Sequence, residues 1–103
     1  MEISENLKDK TCTLALEGRL DTTTAPELEK KIDEVLAKGV NDLTLNFRGL
    51  EYISSAGLRV LLHGQKELNN KGTMVITNVK DELMEVFEMT GFVDILTDRK
   101  SVV

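Results

Sequence analysis

Two adjacent hydroxyls, Ser54 and Ser55, stand in the segment Leu50-Glu51-Tyr52-Ile53-Ser54-Ser55-Ala56-Gly57-Leu58-Arg59. A serine can act as a nucleophile, accept a phosphoryl group or cap a helix, and its surroundings decide which. Nucleophilic catalysis needs a base that is itself oriented by an acid. The single histidine, His63, lies on a leucine-bearing segment and reads as a surface or rim residue. A nucleophile elbow requires glycine two residues before the serine, whereas Ile53 holds that place before Ser55. The chain is therefore not expected to be an enzyme, and no residue is assigned a catalytic role. One histidine and one cysteine among scattered acids give no metal-ligand spacing. Gly18 and Gly39 stand alone, so no glycine-rich loop cradles a phosphate. Neither a metal nor a cofactor is expected.

The serine pair gains interest from its position. Apolar alternation places a strand over 42–48, and inward leucines place a helix from about Gly57. The hydroxyls then sit at a strand-to-helix turn. A helix N-terminus presents unpaired N–H groups and partial positive charge, which favour an anion. A serine here can be an N-cap and nothing more, although a cap uses only one of the two hydroxyls. Arg59 follows Ser55 by four residues, a spacing that puts it on the same face of the helix start or leaves it solvated on an exposed face.

The elements that must hold this turn are legible. Leu43, Leu45 and Phe47 alternate through Asp42–Arg48, which means a strand buried on one face. Thr11–Glu17 alternates more loosely, with Cys12 in phase with Leu14 and Leu16. Thr73–Thr77 is a more continuously apolar strand. Ile3–Leu7 and Ile95-Leu96 are candidates for a first and a last short strand. Leu28, Ile32, Val35 and Leu36 follow helical spacing after Pro26, with Lys38-Gly39 at the end. Leu58, Leu61, Leu62 and Leu68 mark a second helix ending near Lys71-Gly72. Leu83, Met84 and Phe87 mark a third, capped by Asn78 or Asp81 and ending before Gly91. Alternating strands and helices imply an α/β fold. The expectation is a mixed, mostly parallel sheet of four to five strands, with helices mainly on one face.

The chain's 103 residues fit a single domain spanning 1–103. Hydrophobic residues make up 41% and charged residues 30%, an ordinary globular balance that argues against disorder. The net charge of −5, without a basic stripe, argues against nucleic acid and anionic membrane as partners. Cys12 is alone, so it is read as a buried structural thiol. Met74, Met84 and Met89 are read as core packing. No apolar stretch approaches the roughly 20 residues of a membrane span, and the polar start lacks a signal peptide. A cytoplasmic location is expected.

Tyr52-Ile53-Ser54-Ser55-Ala56-Gly57-Leu58 resembles the phosphorylation loop of bacterial anti-sigma factor antagonists, the STAS-domain family. Gly18-Arg19-Leu20-Asp21 followed by Ala25-Pro26 resembles the family's loop into its first helix. Phe87-Glu88-Met89-Thr90-Gly91-Phe92 resembles its closing helix and turn. The resemblance covers about Ile3 to Thr97. It implies a switch in which the unphosphorylated protein binds an anti-sigma factor with GHKL-type serine kinase activity and so frees a sigma factor. Phosphorylation would release the partner, and a serine phosphatase would reset the system. By position the acceptor is Ser55, two residues before Gly57. The family's preceding aspartate is Ser54 here, which leaves Asp21 as the expected nearby carboxylate. Ala56 stands where many members have Ser or Thr, and Arg59 where many have Gly. The expected partner surface comprises Asp21, Thr22, Thr23, Ser54, Ser55, Ala56, Gly57, Leu58 and Arg59. The alternative is a phosphorylation-independent STAS subunit that docks constitutively on a partner in a signalling or transport assembly.

Overall fold

The computed structural model describes residues 1–68 and 71–90. Its elements in order are β1 (Glu2–Lys8), β2 (Thr11–Leu20), α1 (Ala25–Ala37), β3 (Asp42–Ile53), α2 (Ser55–Leu68), β4 (Thr73–Thr77) and α3 (Asp81–Thr90). The four strands form one sheet in the order β1-β2-β3-β4. β1 pairs with β2 antiparallel through a tight turn in which Asp9 takes a φ of 55°. β2–β3 and β3–β4 are parallel, as expected for strands joined through helices. The mixed, mostly parallel α/β sheet is therefore present. The suggested last strand at Ile95-Leu96 lies outside the described residues.

One face of the sheet carries the core. Cys12, Leu14 and Leu16 of β2, Leu43, Leu45 and Phe47 of β3, and Met74 and Ile76 of β4 are buried there. Their alternates Thr13, Ala15, Thr44 and Asn46 are only half-buried. The helices cover the buried face. Phe87 of α3 meets Phe47 at 6.3 Å between ring centroids. Leu28, Ile32 and Val35 of α1 and Val60, Leu61 and Leu68 of α2 point inward. Each such side chain contributes about 1.5–3 kcal/mol when fully removed from water. Cys12 is buried as expected, and burial pushes its thiol pKa up.

Three local readings are corrected. β3 does not end near Arg48 but continues to Ile53. Clean alternation breaks at Gly49, and the β2–β3 pairing re-phases through irregularities between Ala15 and Glu17 and between Gly18 and Arg19. Leu50 and Ile53 are buried by this shifted phase, which a strict two-residue period misses. α2 accordingly begins at Ser55, ahead of Gly57. Its buried stripe includes Val60, while Leu58 and Leu62 are only partly buried. Finally, α3 is entered through Lys80, whose carbonyl accepts from the Leu83 and Met84 amides. Asn78 does not cap it. This residue adopts a φ of 57° and its amide donates to Asn46 Oδ1 at 3.0 Å.

Candidate functional site

The extended β3 leaves one residue, Ser54, between strand and helix. Its backbone N–H donates to the Leu20 carbonyl at 2.9 Å, continuing the β2–β3 ladder. Its carbonyl accepts from the Leu58 amide at 3.0 Å, the first turn of α2. Its Oγ accepts from the Gly57 amide at 3.3 Å. Ser54 is thus the N-cap of α2. Ser55 opens the helix, and it is exposed. The two hydroxyls therefore differ: one is engaged locally and half-buried, the other faces solvent at the positive end of a helix whose first turn contains no acid.

Gly57 fixes this arrangement. A Cβ built there would lie 2.7 Å from Leu20 Cγ and 2.9 Å from Ile53 Cγ1. Only glycine lets α2 seat this closely on the ends of β2 and β3. The residue after Leu20 is Asp21, so the same contact holds the two loops together.

Asp21 closes its own turn. Its Oδ1 accepts from the Thr23 hydroxyl at 2.7 Å and amide at 3.0 Å, and from the Thr24 amide at 3.1 Å. The Thr23 hydroxyl bond and the Thr24 amide bond hold its carboxyl below the usual aspartate range. The Thr24 hydroxyl donates to the Arg19 carbonyl at 2.8 Å. This network orients the entry to α1 and keeps Asp21 ionised.

Two residues that the sequence reading did not single out join the site. Arg19 and Tyr52 are register partners on β2 and β3. The guanidinium lies 4.2 Å from the Tyr52 ring centroid, and its Nε stands 4.0 Å from Asp21 Oδ2. Tyr52 is 39% exposed, one of two large hydrophobic residues so exposed among the described residues. Both lie inside quoted motifs, but only the shifted strand register puts them side by side.

The structure thus brings Asp21, Thr22 and Thr23 to the same end of the sheet as Ser54, Ser55, Ala56 and Gly57. Leu58 is partly buried and Arg59 exposed one turn further along. Arg59, Ala56 and Val60 form one wall of a groove whose other wall is Thr22, Ala25, Pro26 and Glu29 of the α1 side.

The STAS domain family matches residues 2–103 of this sequence. The chain belongs to the STAS-domain family. An anti-sigma-B factor antagonist of Staphylococcus aureus is 31% identical over 97 residues, covering 93% of this chain and 90% of the relative. An anti-sigma factor antagonist from Mycobacterium paratuberculosis superposes with a TM-score of 0.84 at 21% identity, covering 93% of this STAS domain and 82% of that chain. The phosphorylated form of the Bacillus cell fate determinant SpoIIAA superposes with a TM-score of 0.74 at 22% identity, covering 94% and 90%. At those identities the two structures establish the fold. No helix among the described residues of this STAS domain is long and apolar enough to cross a membrane.

Proposed function

We propose that this STAS domain is an anti-sigma factor antagonist that works by partner switching in the cytoplasm, with Ser55 as the phosphorylated residue. Unphosphorylated, it binds an anti-sigma factor that is also a GHKL-type serine kinase, and the sigma factor is released. The kinase transfers the γ-phosphoryl group of ATP to Ser55 Oγ, the hydroxyl proton is lost, and ADP leaves. The phosphorylated protein lets go, and a serine phosphatase hydrolyses the ester to restore the hydroxyl. The protein itself acts by binding and supplies no catalytic group.

The observation that carries this reading is the division of labour between the serines. Ser54 Oγ caps α2, while Ser55 stays exposed at the helix start. The names of the relatives support the role, and the phosphorylated SpoIIAA structure shows that a neighbour in fold exists in that form. The partner surface is the Asp21–Thr23 loop, the Ser54–Arg59 turn and the stacked Arg19–Tyr52 pair.

The test is incubation with ATP and the cognate kinase followed by intact-mass measurement. One phosphate should add to the native chain and to Ser54→Ala, and none to Ser55→Ala. Tight partner binding by a chain that takes up no phosphate would point instead to the constitutive docking subunit.

A further inference from the structure

Away from the serine turn, a second cluster of chemistry-bearing side chains joins the two helices. Asp33 lies on α1, and His63 and Glu67 lie on α2. His63 Nε2 and Asp33 Oδ1 are 2.8 Å apart. Glu67 follows His63 by one helical turn, so the two project from one face. One ligand atom from each of the three residues can be chosen so that all lie within 4.8 Å of one another. The three residues line one concavity together with Asn41 and Lys71.

We propose that Asp33, His63 and Glu67 form a binding site for a zinc-class divalent cation, clamping α1 to α2. Imidazole and carboxylate are both zinc ligands, and three protein ligands from two elements leave the fourth tetrahedral position to water. Bonds of about 2.0–2.2 Å place tetrahedral ligand atoms roughly 3.3–3.6 Å apart. The hydrogen-bonded pair, at 2.8 Å, is closer than this, and the three atoms together lie within 4.8 Å of one another, a wider span than the bound geometry. Asp33 and Glu67 are exposed, so rotation of their side chains closes the difference without moving backbone. The imidazole selects a first-row transition ion over magnesium or calcium, which favour all-oxygen sites. The sequence hides this site because Asp33 is 30 residues from His63. His63 and Ser55 are eight residues apart, roughly 12 Å along α2, so the cation site and the phosphorylation site are separate.

The test is calorimetric titration of chelator-treated full chain with zinc chloride. One saturable event per chain is expected, with no comparable event for magnesium chloride. Losing an outer partner of a metal ligand weakens a site by roughly 10–100-fold. Losing a ligand itself should cost at least as much in His63→Ala, Glu67→Gln and Asp33→Asn. All three positions are at the surface, so the variants should fold, which melting without metal checks. Ser55→Ala and Cys12→Ala, once melting confirms that they fold, should bind zinc as the native chain does. Zinc should raise the melting temperature of the native chain and leave that of His63→Ala unmoved. Absence of saturable zinc binding, unchanged affinity in His63→Ala, or loss of binding in folded Cys12→Ala would each overturn the proposal.

Discussion

The Gly57 amide donates to Ser54 Oγ at 3.3 Å, so the residue that replaces the family's aspartate closes the first turn of the helix beside it. The neighbouring hydroxyl is thereby left without a structural task. This difference between the serines is measurable in the isolated protein.

Removing an N-cap hydroxyl costs about 0.5–2 kcal/mol. The bond is at the long end of the range, so the lower half of that interval applies. For a domain of this length each kcal/mol is worth roughly 4–8 °C. Ser54→Ala should therefore melt roughly 2–10 °C below the native protein. Ser55→Ala, at an exposed position, should stay within about 0.5 kcal/mol of it. Thermal melts showing Ser55→Ala as the more damaging variant would contradict this assignment of the cap.

Gly57→Ala should be worse than either. Its Cβ would meet Leu20 Cγ at 2.7 Å, in a buried seam that cannot open freely. Overpacking of this kind costs about 1–3 kcal/mol. Adding Leu20→Ala alongside it should restore part of the loss relative to the sum of the single variants. Strict additivity in a double-mutant cycle would mean that the clash is not what excludes a side chain there.

Much of this architecture was readable in the chain. Leu43, Leu45 and Phe47 announce a one-sided strand, and Leu28, Ile32 and Val35 announce the first helix. The serine turn, with Ser55 ahead of Gly57, was found from its position between two periodic segments. The end of β3 was not. Past Arg48 the pattern loses its period because the β2–β3 ladder shifts register, and no local rule announces where the phase resumes. The Arg19–Tyr52 stack and the Asp33–His63 pair were hidden for a related reason. Each depends on which residues of distant segments are opposed, and that is decided by sheet register and helix docking.

Asp21 offers a pH test. Its carboxyl is held below the usual range by the Thr23 hydroxyl and the Thr24 amide. A depressed carboxylate stabilises the fold fully above its unfolded value of about 3.9 and loses that contribution as pH falls through the lower folded value. The melting difference between native protein and Asp21→Asn should therefore be constant from about pH 5 to 7 and shrink below about pH 4. A difference that widens on acidification would contradict the hydrogen-bond assignment.

Tyr52 should matter for the partner more than for the fold. Tyr52 is 39% exposed with the Arg19 guanidinium against its ring, and Tyr and Arg are residue types enriched at interface hot spots. Tyr52→Ala should weaken binding to the anti-sigma partner by roughly ten- to a hundredfold, with an unchanged circular dichroism spectrum. Native affinity in this variant would remove the stacked pair from the docking surface.

The account turns on what a phosphate at Ser55 does. A phosphoserine carries about −1.5 to −2 charges, and a helix N-terminus accommodates that charge with a gain of about 0.3–1 kcal/mol. The domain should therefore keep its structure. At a docked interface the same charge must be stripped of water, at a cost of several kcal/mol if it is left unpaired. The direct measurement is calorimetry of phosphorylated and unphosphorylated protein against the anti-sigma kinase. The account predicts that phosphorylation weakens binding by roughly a hundredfold or more. Equal affinity of the two forms would contradict it.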